Sequence, residues 1–243
     1  MLKKHLPRLL LLTAVIAATA LQAATLDDFE ATYILRLGSL HIGNATIALQ
    51  TGTDGSYLYE SHSTPTRWVA WLLEDQLYES SRGQLTAAGL RPDKYHYLRN
   101  GGDKKREAVL SFNWDEHTVM NEVEGSRWKM DIPPGTIDKL ATQLSMMLAL
   151  QQNKTDVTFK VADGGKLKDY RFKVVGQETL EVAAGKFATV KITKLRNNTR
   201  RQTYVWCAPE LNYLPIRIWQ RETDDSVYTS ELESFSAALR VAP

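Results

Sequence analysis

Apolar and polar positions alternate through most of this chain. Phe29, Ala31, Tyr33, Leu35 and Leu37 are interleaved with Glu30, Thr32 and Arg36, the period-two signature of a half-buried strand. Gly38 and Gly43 interrupt the pattern, Ala45, Ile47 and Leu49 resume it, and a Gly/Asp/Ser cluster at 52–56 turns the chain into a strand over 57–63. Short strands are expected over 77–82 and 85–87, followed by a bend at Gly89 and Pro92. Segments 94–98 and 107–114 face each other across Asn100-Gly101-Gly102-Asp103, a hairpin signal, and 118–123 and 127–132 form the next hairpin with Trp128, Met130 and Ile132 on one face. In the second half, Val157, Phe159 and Val161 run into Asp163-Gly164-Gly165, and Tyr170, Phe172 and Val174 return. A further pair over 179–182 and 187–195 flanks Gly185. Two runs rich in β-branched and aromatic residues, 203–207 and 216–220, flank an irregular stretch with Pro209 and Pro215, and place Trp206 and Ile218 among the core candidates. A last strand covers 227–235. With about thirteen strands and short turns, the pattern predicts a mainly β protein. The expected form is a single antiparallel, strongly curved sheet or a partly open barrel.

Two segments break the alternation. Over 65–73, Trp68, Val69, Leu72 and Leu73 share one helical face and Pro65 stands near the start. The expectation is a short helix capping the core; the sharper alternative is an aromatic lid over a ligand pocket. Over 137–152, Ile137, Leu140, Ala141, Leu144, Met147 and Leu148 fall at helical spacing. Thr136 is the expected N-cap, and Asp138 suits the positive end of the dipole. Met146 and Leu150 widen the apolar stripe, so this long helix is expected to be covered on most sides.

Composition changes the picture at the N-terminus. Lys3, Lys4 and Arg8 precede an apolar run of 13 residues over 9–21, with a small residue at Ala23. That is a secretory signal pattern, too short to span a bilayer comfortably. Cleavage near Ala23 leaves 24–243 as one β domain in the periplasm. Of 30 basic and 28 acidic residues, three basic ones leave with the signal, so the mature chain carries 27 against 28. A nearly neutral protein has no global reason to seek nucleic acid.

Local chemistry is sparse. His5, His41, His62, His96 and His117 form no HExxH or paired spacing, and Cys207 is the one cysteine, so neither a local zinc motif nor an internal disulfide is available. Its flanks point to a buried, inert thiol. There is no GxSxG elbow and no SxxK. Gly164-Gly165 is followed by a strand rather than a helix, which excludes a phosphate loop. Asp27-Asp28 and Asp224-Asp225 point their members to opposite faces or lie in turns, a poor glycosidase pair. Lys104-Lys105-Arg106 reads as a solvated hairpin tip. No residue takes a catalytic role, and no cofactor or metal is expected.

Several segments together resemble a bacterial exported family, domain of unknown function 3108: Ile42-Gly43, the run from Gly89 through Pro92 to Tyr95, Asp138-Lys139-Leu140-Ala141, Ala184-Gly185-Lys186-Phe187, and Trp206-Cys207-Ala208-Pro209 through Leu214-Pro215-Ile216-Arg217. The likeness spans nearly the whole mature chain, and Cys207 stands where a non-cysteine residue is expected. It implies an envelope location and an antiparallel β fold, and supplies no catalytic residues. The Trp206–Arg217 stretch also resembles a segment of periplasmic lipoprotein-carrier half-barrels, an analogy of fold. The leading expectation is a non-catalytic envelope protein holding a hydrophobic small molecule, lipid or acyl group, with peripheral membrane contact. Trp68, Trp71, Met146 and Met147 are the expected ligand walls and Arg217 a polar contact at the rim. The alternatives are an envelope assembly protein with a packed core and an envelope protein as partner, and a hydrolase assembled from His62, His96 and Asp93.

Overall fold

Period-two patterning becomes a ladder of consecutive hairpins. The computed structural model describes residues 25–67, 69, 76–101, 106–196 and 200–237. The first arm holds β1 (Phe29–Leu37), β2 (Leu40–Thr51), β3 (Ser56–Pro65), β4 (Gln76–Thr86), β5 (Gly89–Asn100), β6 (Arg106–Asn113), β7 (Thr118–Val123) and β8 (Ser126–Asp131). The second holds β9 (Ile137–Asp138), helix α1 (Ala141–Gln151), β10 (Asp156–Asp163), β11 (Lys166–Val182), β12 (Gly185–Leu195), β13 (Gln202–Ala208), β14 (Leu214–Arg221) and β15 (Val227–Ala237). All lie in one sheet of order β8-β7-β6-β5-β4-β3-β2-β1-β15-β14-β13-β12-β11-β10-β9. The first and last strands pair antiparallel at its centre, from Phe29 opposite Ala237 to Leu37 opposite Tyr228. Pairing is antiparallel throughout except for β9 on β10, which is parallel at two positions.

The two ends of this order are not joined by ladder hydrogen bonds, yet their side chains touch. Ile132, just past β8, packs with Ala162 of β10 and with Tyr95, Leu110 and Val119. Trp128 Nε1 donates to the Gly165 carbonyl at 3.4 Å. α1 lies on the core face, and nine of its eleven residues are buried, the state expected of a helix that is apolar nearly all round. Ala141, Leu144, Met147 and Leu148 join Phe29, Tyr59, Ile216 and Leu232 in the main core. At its C-terminal end, Gln151 accepts from the Thr25 N–H and donates to the Thr25 carbonyl, both at 3.0 Å, tying down the start of the described chain.

Three element boundaries differ from the sequence pattern, each for a local reason. The helix begins at Ala141, not 137, because Ile137 and Asp138 pair with Val161 and Ala162. Thr136 does not cap it; its hydroxyl donates to the Pro133 carbonyl at 2.7 Å, and Asp138 Oδ1 instead accepts the Ala141 N–H at 2.8 Å. The strands expected at 77–82 and 85–87 are one strand, β4, with a bulge between Arg82 and Gly83 that accommodates Pro92 opposite. β11 likewise fuses two expected strands across an irregularity between Val174 and Gly176. Of the short helix expected over 65–73, Pro65 ends β3 and Arg67 and Val69 are helical; Trp68 and 70–75 lie outside the described residues, as do Lys104 and Lys105.

Candidate functional site

A cleft of about 560 Å³ opens beside α1, between the β4–β5 hairpin and the first half of β10. Its walls include Leu85, Leu90, Ile137, Leu148, Val157 and Phe159. The backbone explains the opening. β10 pairs with β11 along its whole length but with β9 only at Val161 and Ala162, so nothing covers its free side near Val157. Ser145 and Ala149 present the same side of α1 to the space, and Gln152 and Lys154 stand exposed beside it.

A buried polar network fixes the helix next to this cleft. Ser81 Oγ donates to Asp138 Oδ2 at 2.5 Å and lies 3.0 Å from the Tyr57 hydroxyl. Tyr95 donates to Glu79 Oε1 at 2.6 Å, and Lys139 Nζ reaches the same oxygen at 3.0 Å. Ser81 and Asp138 are fully buried. Burial pushes the Asp138 carboxyl up to about 6, against the hydrogen bonds from Ser81, Ala141 and Leu140. Lys139 goes the other way: burial pulls its ammonium down, but the Glu79 carboxylate outweighs that and holds it above its usual range. Both oxygens of Asp138 are occupied and sealed from solvent, so the network is placed to hold α1 on β4, not to meet a substrate.

The residues singled out in the sequence are spread over the molecule. Met146 packs with Leu150, Phe172, Ile192 and Cys207. Met147 packs in the main core. Neither is among the residues lining the cleft, to which α1 turns Ser145, Leu148, Ala149 and Gln152. Arg217 pairs with Glu231 at 2.7 Å and lies beside the Trp206 ring. Trp206, beside Arg217, and Cys207, which packs with Met146, are adjacent in β13 at a register irregularity with β14. Trp68 and Trp71 lie outside the described residues. His62 is paired with Tyr78 and His96 with Ser80. His96 bonds Glu107 at 2.9 Å, whereas Asp93 is the β5 residue left without a cross-strand partner where the β4–β5 register shifts. Cys207 is fully buried, and burial pushes its thiol up to about 12, which leaves little thiolate at neutral pH. The cleft itself went unnoticed in the sequence because its walls come from three segments far apart in the chain; the Gly135-to-Ile137 break before the helix was the one local signal.

The family described as protein of unknown function (DUF3108) matches residues 28–233, and the chain belongs to that family. No curated protein sequence matches it. Among solved structures, a β-barrel-like protein of the domain of unknown function DUF1849 from Brucella abortus aligns with a TM-score of 0.59 at 9% identity, over 89% of this chain and 100% of that one. MucB aligns with a TM-score of 0.36 at 10% identity, over 90% of this chain and 56% of that one. The first of these shows a shared β-barrel-like fold. Among the described residues, no helix is long and apolar enough to cross a membrane.

Proposed function

We propose that this DUF3108 protein is an exported, non-catalytic protein of the cell envelope whose strongly curved sheet holds a hydrophobic or acyl group in the cleft between α1, the β4–β5 hairpin and β10. The cleft carries the reading. Its volume of about 560 Å³ is in the range of small-molecule sites. Leu85, Leu90, Ile137, Leu148, Val157 and Phe159 supply an apolar wall, and the exposed Lys154 adds a cation to the lining. Fold and compartment agree with this use: the N-terminal signal pattern directs the chain outward, and barrel-like sheets commonly bind ligands at their mouths.

The test fills the cleft from one wall. Val157 is half-buried on β10, lines the cleft and packs against the cluster that holds Met146 and Leu150 of α1, so a larger side chain there competes directly for the cleft space. A fluorescent fatty-acid probe is expected to bind the delipidated wild type saturably and to bind Val157→Trp at least tenfold more weakly, with an unchanged circular-dichroism spectrum. Equal binding by the two proteins, or none by the wild type, contradicts the assignment.

A further inference from the structure

The sheet changes character where β12 ends. Lys194 lies directly opposite Phe172, and its ammonium sits over the Tyr170 ring and 5.7 Å from that of Phe172. Ile192, two residues earlier on the same face, is core. The core face of β12 therefore turns from apolar to cationic as it leaves the molecule, through Lys194 to Arg196. The carboxylates nearby are already engaged: Asp163 with Lys168 at 2.7 Å and with the Tyr170 hydroxyl, and Glu222 with Arg201 at 2.6 Å. Lys194 has no ion-pair partner among the described residues. Arg196 reaches only the Thr203 hydroxyl, at 3.5 Å, and its Nε is buried without a hydrogen bond, as is Arg221 Nε at the end of β14. The β14–β15 turn adds Asp224 and Asp225.

Exposed apolar side chains gather at the same end. Leu37 and Leu40 flank the β1–β2 turn and pair with each other, Leu37 also pairs with Tyr228, and Leu167 and Leu195 lie at the start of β11 and the end of β12. All five are more than a third exposed. Unneutralised cations beside protruding leucines suit a surface that is negatively charged outside and apolar beneath.

We infer that this end of the sheet docks on an anionic phospholipid membrane, with Lys194 and Arg196 against lipid phosphates and Leu37 and Leu40 entering the headgroup layer. Burial and the Arg196 guanidinium pull the Lys194 ammonium down to about 7, the state of a cation lacking its counter-ion, which a phosphate supplies. This inference does not depend on the cleft being a ligand site, because none of Lys194, Arg196, Leu37 and Leu40 lines the cleft.

Vesicle co-sedimentation tests it with the full mature chain. The protein is expected to sediment with phosphatidylglycerol-containing vesicles at low salt, to be released at high salt, and to ignore pure phosphatidylcholine. Two double variants, Lys194→Gln with Arg196→Gln and Leu37→Ser with Leu40→Ser, should each lower partitioning about tenfold. The leucine pair is exposed and keeps its fold, so a loss there is a surface effect. No sedimentation of the wild type with anionic vesicles, or wild-type partitioning by either double variant, overturns the inference. So does saturable binding of inorganic phosphate without vesicle partitioning, which assigns the cluster to a soluble anion.

Discussion

Asp138→Ala should destabilise the protein by about 3 kcal/mol at neutral pH, while Asp138→Asn should change it by only about 1 kcal/mol or less. Ala removes the acceptor from two buried donors, Ser81 Oγ and the Ala141 N–H, and leaves the Tyr57–Ser81 pair without its terminus. Asn keeps an oxygen for Ala141 and offers an N–H to Ser81, whose hydroxyl can reverse. The pH dependence separates ionised from neutral Asp138. Its folded pKa, about 6, lies above the ordinary aspartate value of 3.8. A group raised in this way contributes stability that is fully present below the unfolded pKa and is lost as pH rises through the folded one. Between pH 4 and pH 7 the Asp138 contribution should therefore fall by roughly 2 kcal/mol. Urea denaturation of the wild type and the Asn variant across that window isolates this slope, because every other titrating group is common to both. An Asn variant as unstable as the Ala variant would show that the buried carboxylate must be ionised.

Gly83→Ala is the second large effect, with an expected loss of about 3 kcal/mol or more. A Cβ at Gly83 would overlap the Arg91 carbonyl oxygen and lie 2.7 Å from Pro92 Cα. Both obstacles are backbone, so neither can rotate away. Pro92 offers no ladder donor and sits across from the β4 bulge, and only a residue without a side chain lets the two strands close there. Gly43, opposite Pro65, repeats the arrangement, with the Thr64 carbonyl oxygen 2.5 Å from an added Cβ. Gly176 is the control. Nothing lies within 4 Å of its Cβ position, so Gly176→Ala should raise stability by about 0.5–1 kcal/mol by restricting the unfolded chain. Thermal or urea melts of the two variants should move in opposite directions. A Gly83→Ala protein with wild-type stability would mean that β4 and β5 do not approach as closely as the structure places them.

The hairpin ladder was legible because alternation is a local property: β1, β6 and β15 could be read from eight or nine consecutive residues each. The long helix was legible for the same reason, and its broad apolar stripe foretold that it would be buried almost all round. Its start was not. Ile137 looks like the first residue of a helical face, and only the distant Val161 and Ala162 draw it into the sheet. β4 and β11 were each read as two strands because Gly83 and Gly176 resemble turn residues, whereas here they relieve bulges inside continuous strands. The pairing of β1 with β15 joins residues at the two ends of the described chain, a distance over which periodicity carries no information. The candidate site was less legible than the fold. Met146 and Met147 attract notice as adaptable side chains, but the side of α1 that borders the cleft is the one with Ser145 and Ala149, whose small size leaves the space open. The cationic end of β12 was visible as Lys194 and Arg196 at period two, yet its meaning depends on Asp163 and Glu222 being engaged elsewhere.

Native mass spectrometry of the protein, purified from its own cells without detergent, addresses the cleft most directly. A bound species of lipid or fatty-acid mass is expected on a substantial fraction of molecules, released by delipidation and absent from Val157→Trp prepared in parallel. A bare polypeptide mass in every preparation, with the variant indistinguishable from the wild type, would contradict the assignment and favour a packed protein that works by contact with an envelope partner.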